Sequence, residues 1–323
     1  MIMRIPKEAE PIHTQGARVM HFYHAFNLTF LSQLELPELL VSQNQPVLQP
    51  DICIQWGSVS PAGLEHPLCK GVTFQANEES LWLNVPNVAR YLMSHGNQIT
   101  IEPFAQSDED SIRVFLLGSC MGALLMQRNL FLLHANAIKI GDHCISFAGV
   151  SGAGKSTLAA AFLQQGYSLL ADDVCAINQN GDVVPSFPQV KLWADASRHM
   201  AIETQSLRKI RPNLEKFAVP LGAQFHQHPL PLKVIYILHA HNKDTFELTE
   251  LSSSQKFNPL KNNTYRIRYL NGLRKDRAHF KQCGAIASQV DIVHVTRPNH
   301  GFQLNELMDV IKTDLHKRGL SYV

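Results

Sequence analysis

The stretch Gly149-Val150-Ser151-Gly152-Ala153-Gly154-Lys155-Ser156 restricts this chain more than any other. It follows an apolar run at residues 144–148 and leads into an alanine-rich run at residues 155–164. Gly-x-x-x-x-Gly-Lys-Ser in that setting predicts a strand, a tight loop and a helix. The glycines let consecutive backbone N–H groups turn inward around phosphate oxygens, and the start of the helix adds its dipole. Gly149, Ser151, Gly152, Ala153, Gly154, Lys155, Ser156 and Thr157 are therefore the expected binding residues for a nucleoside triphosphate. Lys155 would reach the β and γ phosphates, and the Ser156 hydroxyl would face Mg²⁺. A chance turn would rarely have both flanks right.

A second acidic element narrows the chemistry. Leu169-Leu170-Ala171-Asp172-Asp173 reads as an apolar strand ending in two carboxylates. Acidic groups at the end of a strand beside a phosphate loop are placed for Mg²⁺ coordination or for proton abstraction. Neighbouring side chains on a strand point opposite ways, so the two need not share a role. A turn or helix cap is the plain alternative, since Asp favours both.

The rest of the chain frames these motifs. At 323 residues it is comfortable for two domains, and 45% hydrophobic against 17% charged residues permits a sizeable core. The formal net charge of +2 argues for neither nucleic acid nor membrane as a partner. The most apolar stretch, residues 114–126, is shorter than a bilayer span and reads as a buried helix. Six cysteines without a C-x-x-C pair suit a reducing compartment. The opening Met1 to Gln15 is polar and lacks a signal-peptide core. A cytoplasmic location is expected, and a homo-oligomer is left open.

Residues 1–105 read as a smaller, mainly β, largely antiparallel domain. Strand patterns occur at 51–56, 71–75, 80–85 and 98–103, with a short helix at 34–41. Residues 106–110 form a polar linker and helix cap. Residues 112–323 read as an α/β catalytic domain. Helices are expected at 112–127, 155–164, 274–290 and 304–317. Strands are expected at 130–138, 144–148, 168–171, 233–238 and 292–296, and Asn180-Gly181 reads as a hairpin turn between 174–178 and 182–184.

Three stretches carry a resemblance: Leu132-Leu133-His134-Ala135-Asn136-Ala137, the glycine loop, and Gly166-Tyr167-Ser168-Leu169-Leu170-Ala171-Asp172-Asp173. Together they resemble the core of the HPr kinase/phosphorylase family. Pro188-Gln189-Val190-Lys191-Leu192-Trp193 and the apolar-basic tail look like a divergent branch, similar to kinase-like proteins of bacterial peptide-biosynthesis clusters, lasso-peptide ones included. The resemblance implies a P-loop fold of the HPr kinase/PEP carboxykinase type, with ATP and Mg²⁺ as cofactors. It implies His134 beside the γ-phosphate, Asp172 as the base that deprotonates an acceptor serine, and Asp173 near the metal with Ser156. The implied activity is an ATP-dependent serine kinase acting on a peptide or protein. A small-molecule kinase and a nucleotide-switched regulatory ATPase are the alternatives. The family's glycine-rich segment after the aspartate pair is absent, which removes support for HPr as substrate and for the reverse, phosphorylase, reaction. Residues 185–193 stand in its place. Lys191 is either a phosphate or substrate contact or a lysine packed on Trp193, and Asp195 is a weaker metal candidate.

Other signals carry less. Leu251-Ser252-Ser253-Ser254-Gln255 lacks the glycines of a transporter signature loop and reads as a helix N-cap. His226-x-His228 and His239-x-His241 lack the partners a zinc site needs. The basic residues at 208–216 and 261–281 read as solvated helical faces, with a lid arginine or a dock for an acidic peptide as alternatives.

Overall fold

The computed structural model describes residues 19–42, 49–211, 214–301 and 303–320. The polar opening Met1 to Gln15, with its missing signal-peptide core, lies outside the described residues. Two nine-stranded sheets dominate the described chain. The first runs from His21–Ala25 to Gln98–Pro103. Two of its hairpins turn through pairs of left-handed residues, Phe26-Asn27 (φ 52° and 58°) and His95-Gly96 (φ 54° and 70°), the geometry that matches strand twist. All four expected strands lie here, the second of them shortened to Phe74–Ala76. The sheet is largely antiparallel, as expected, with one exception: Ile52–Trp56 runs parallel to both Leu28–Ser32 and Gln98–Pro103.

The short helix expected at 34–41 does not form. The Ser32 hydroxyl engages both the N–H and the carbonyl of Leu34, and the Leu36 N–H donates to the Tyr23 hydroxyl at 2.9 Å. Pro37 further disfavours a helical Leu36. The segment instead buries Leu34, Leu36 and Leu39 and returns as the edge strand Leu40–Val41.

The helical stretch read at 112–127 starts earlier, at Glu109–Phe115. Its first turn is capped by the Asp108 carboxylate, which accepts from the Ser111 N–H at 2.7 Å. It continues through a π-helical turn, Leu116–Cys120, into Met121–Gln127. Gly118 and Gly122 there lie against Tyr265, where a Cβ would come within 3.1 and 2.9 Å of its ring atoms or hydroxyl. This all-apolar helix is buried between the first sheet and later segments. One core therefore joins Tyr91 and Ile101 to Leu124, Leu132, Phe187 and Tyr265.

At the centre of the second sheet three strands run parallel: His143–Ala148, Leu230–His241 and Asp291–Pro298. The helices Lys155–Gln164 and Leu304–Lys317 cover one face, while Asp276–Gln289 buries Cys283 and Ile286 on the other. Glu247–Glu250 adds an antiparallel edge. The mixed α/β class is as expected. The strand expected at 130–138 is broken in two, Phe131–Leu133 and Ala135–Ile140, with His134 at the break. There the backbone leaves the sheet, and the His134 N–H donates to the Asn263 carbonyl. No helix of the described residues is long and apolar enough to cross a membrane.

Candidate functional site

The glycine loop joins the parallel strand His143–Ala148 to the helix Lys155–Gln164, as the pattern predicted. Its glycines are required by conformation and by space. Gly149 has φ 142°, and a Cβ there would meet the Leu238 carbonyl oxygen at 2.9 Å. Gly154, the residue before the helix, has φ 99°. The helix start is fixed from below by Asn136, whose side-chain amide donates to the Lys155 carbonyl at 2.7 Å. Asn136 is fully buried, and its backbone carbonyl accepts from the Ser146 hydroxyl of the neighbouring strand.

Lys155 is folded back on the loop. Its ammonium donates to the Gly149 carbonyl at 2.8 Å and to the Val150 carbonyl at 3.1 Å. Burial lowers its pKa, against the pull of Asp173 and Asp172. Two carbonyls of the loop itself thus accept from the Lys155 ammonium.

Leu169–Ala171 delivers Asp172 and Asp173 to the same end of the sheet. Asp172 is buried and both its oxygens are engaged. Oδ1 accepts from the Ser156 hydroxyl at 3.0 Å, and Oδ2 accepts from the Lys191 N–H at 2.8 Å. Burial, and then the charge of Asp173, push its carboxyl pKa up. Asp173 adopts φ 73°, a left-handed conformation uncommon for a non-glycine residue. The turn swings its side chain into a cavity. There Oδ1 lies 3.2 Å from His134 Nδ1, and Oδ2 lies 3.5 Å from the Lys191 ammonium. Burial opposes ionisation of Asp173, yet Lys191 and then His134 hold its carboxyl well below the usual carboxylate range.

This cavity, of about 250 Å³, brings together His134, Lys155, Ser156, Thr157 and Asp173. Its far wall is a hairpin, Gln189–Trp193 paired with Lys216–Pro220. Lys191 comes from one strand and Lys216 from the other. Trp193 is 47% exposed at the rim, and the cation over its ring is Lys216, 5.6 Å from the centroid, rather than Lys191. Asp195 lies at the same wall.

A second cavity of about 280 Å³ opens on the other flank of the loop, sharing Gly152, Gly154 and Thr157 with the first. Reading the sequence did not anticipate it, nor Lys216. Lys216 lies at the end of a basic stretch that reads as a solvated face, and only the pairing of two distant strands brings it to the site. Asn136 sat within a noted motif but carried no distinguishing signal.

The minor signals resolve simply. Ser252 precedes a short helical turn, and its N–H donates to the Gln255 side chain. The ring closest to His239 is that of His294, at 4.6 Å, and His241 instead contacts the Thr245 carbonyl. Among the described residues no group of three or more His, Cys, Asp or Glu side chains is placed to hold a metal ion.

No family model and no curated protein matches the chain. Among solved structures, the HPr(Ser) kinase/phosphatase from Coxiella burnetii is similar at 12% identity. The match spans 58% of this chain and 98% of that one, with a TM-score of 0.29. A superposition that loose leaves the function to be read from the residues themselves.

Proposed function

We propose that this protein is an ATP- and Mg²⁺-dependent phosphotransferase that moves a γ-phosphoryl group onto a hydroxyl, with serine in a peptide or protein as the acceptor. One observation carries the reading: Lys155 and Ser156 of the glycine loop, Asp173, His134 and Lys191 line a single cavity, and the buried Asp172 accepts from the Ser156 hydroxyl just beneath it.

The donor set suits a hard cation. The Ser156 hydroxyl and the Asp172 carboxylate are oxygen ligands already in contact, and Mg²⁺ takes one or two carboxylates plus phosphate oxygens. Once bound with the nucleotide, Mg²⁺ would neutralise charge on the β and γ oxygens. This arrangement favours exchanging the two roles expected for the aspartates. Asp172 touches the hydroxyl that would face the metal, and Asp173 lines the cavity where an acceptor would sit.

The transfer then uses this chain's residues as follows. Lys155 leaves the Gly149 and Val150 carbonyls for the β and γ phosphates. The acceptor oxygen forms its bond to the γ-phosphorus as the bond to the β–γ bridging oxygen breaks, and ADP departs. The hydroxyl proton passes to Asp173. A weak base suffices because that proton is lost late in a loose transfer. His134 and Lys191 hold the Asp173 carboxylate in place, and Lys216 adds positive charge at the acceptor wall. The exposed Trp193 beside it offers a flat apolar face for a peptide. Three lysines around one cavity also favour an acidic metabolite as the second acceptor class.

The test is transfer of labelled γ-phosphate from Mg-ATP to peptide and metabolite pools. Asp173→Asn should lower turnover by about 10²-fold or more while leaving Mg-ATP binding nearly intact. Asp172→Asn should instead abolish the Mg²⁺ dependence of nucleotide binding. Hydrolysis that no acceptor accelerates, unchanged in Asp173→Asn, would sink the kinase reading in favour of a regulatory ATPase.

A further inference from the structure

The wall that carries Lys191 and Lys216 belongs to neither of the nine-stranded sheets. Its inner strand, Gln189–Trp193, buries Val190 and Leu192 in one cluster with Leu158 and Phe162 of the helix after the loop. The Lys191 N–H also ties that strand to Asp172. The strand of Lys216 lies beyond it, and its other edge takes up residues 208–210. There the Ala218 N–H donates to the Arg208 carbonyl and the Ile210 N–H to the Lys216 carbonyl, each at 2.9 Å, and Lys209 pairs with Phe217.

Arg208 is where this outer segment meets the first sheet. Its guanidinium pairs with the Glu38 carboxylate and lies 3.4 Å from Asp110 Oδ1. Arg113, from the helix Glu109–Phe115, pairs with the same two carboxylates. Glu38, Arg208, Asp110 and Arg113 thus close a ring of alternating charge. The side chains of Glu38 and Arg113 are only 6% and 10% exposed. A buried ion pair adds little net stability, but separating one is costly because it strands a desolvated charge. Guanidinium–carboxylate contacts are directional as well. Such a ring therefore fixes a distance and an orientation more than it stabilises the fold. Two neighbouring contacts act in the same sense. The Arg211 guanidinium lies 5.3 Å over the Phe115 ring, and Leu40 and Val219 pack against one cluster.

We infer that the first sheet sets the position of the acceptor wall through the Glu38–Arg208 pair, and that Arg208 is a positioning residue for acceptor binding. The acceptor role rests on the proposed function, whereas the link between sheet and wall does not. Arg208 is not among the residues that line the cavity. It acts through the strand it borders, whose Lys216 is paired across the ribbon with Trp193 and holds its ammonium 5.6 Å from that ring. The glycine loop has separate anchors, the strand His143–Ala148 and the Asn136 amide, so loss of the pair should spare the nucleotide.

The experiment compares the full chain with Arg208→Met and Arg208→Lys. In both variants Glu38 keeps Arg113 as a partner, so its charge is not stranded. The first readout is iodide quenching of Trp193 fluorescence, with Trp193→Phe giving the background from Trp56 and Trp82. The second is the initial rate of labelling, from Mg-ATP, of a random peptide library with one serine per peptide. Arg208→Met should change the Trp193 quenching constant by about 1.5-fold or more and raise the apparent KM for the library by about 5-fold. The KM for ATP and kcat should stay within about twofold. Arg208→Lys should recover much of both losses. Three results would overturn the inference: an unchanged library KM in Arg208→Met, a KM that rises for ATP and library alike, or no recovery in Arg208→Lys. If the unsubstituted chain labels no peptide, the reading of the cavity fails and the acceptor role of Arg208 with it. Quenching alone then decides the link: a change that Arg208→Lys reverses supports it, and no change overturns it.

Discussion

At the scale of single residues, the site rests on backbone conformations that few side chains accept. Gly149→Ala would force a Cβ to within 2.9 Å of a carbonyl in the adjoining strand, so the loop must shift. We expect at least a tenfold loss of triphosphate affinity, measurable by calorimetry, and a loss of roughly 1–3 kcal/mol in denaturant unfolding. The aspartates differ in how pH acts on them. Asp172 has its pKa raised, so it is the first of the pair to protonate as pH falls, above the ordinary value of 3.8. If it holds the metal, the acid limb of kcat/KM reports Asp172, lies above that value and moves to lower pH as Mg²⁺ is raised. The sign for stability is opposite in the two residues. A raised pKa means that ionised Asp172 costs stability at neutral pH, so Asp172→Asn should leave the melting temperature unchanged or higher. A lowered pKa means that Asp173 contributes stability above its ordinary value and loses it only in stronger acid, so Asp173→Asn should melt lower at pH 7. The loop and the aspartate pair were legible in the sequence because each is a local pattern of glycines, charge and apolar flanks. The different placement of the two aspartate side chains was not, Asp172 buried against Ser156 and Asp173 turned into the cavity. It depends on the left-handed turn at Asp173, which no neighbouring residue announces.

At the scale of elements, the hairpin of Gln189–Trp193 with Lys216–Pro220 is the part that would meet the acceptor. Lys216 reaches the cavity through pairing across a long stretch of sequence, so the hydrophobic pattern that located most strands could not reveal it. Lys216→Met should raise KM for a peptide acceptor several-fold with little change in KM for ATP, as initial-rate kinetics would show. Equal effects on both would remove the hairpin from the acceptor side. The break at His134 has a related cause. Residues 130–138 form one apolar run, yet the sheet needs two strands there with different partners, Cys175–Ile177 on one side and His143–Ala148 on the other. Periodicity reports which residues are buried, and a change of partner within a buried run leaves no trace in it.

At the scale of the whole molecule, the first sheet and the α/β portion share a core rather than meeting through a linker. Leu116, Leu124 and Met121 are fully buried, with residues of both parts in the same cluster. Glu38 adds a polar tie, since Arg113 lies 3.3 Å away and Arg208 also pairs with it. We propose that residues 112–323 are not an independent folding unit. A fragment lacking the first 105 residues should be insoluble or bind a hydrophobic dye, and Leu124→Ala in the full chain should cost about 2–5 kcal/mol in a single unfolding transition. Two separate transitions would contradict this.

The two cavities share a wall only as thick as the glycine loop. On the proposed function, release of the Lys155 ammonium from the carbonyls that now hold it would reshape the surroundings of the acceptor too, because Lys155 lines that cavity. On that reading, donor and acceptor would thereby be linked thermodynamically. If ATP tightens the grip on the acceptor by some factor, the acceptor must tighten the grip on ATP by the same factor, and a change in the loop that alters this factor alters it equally in both directions.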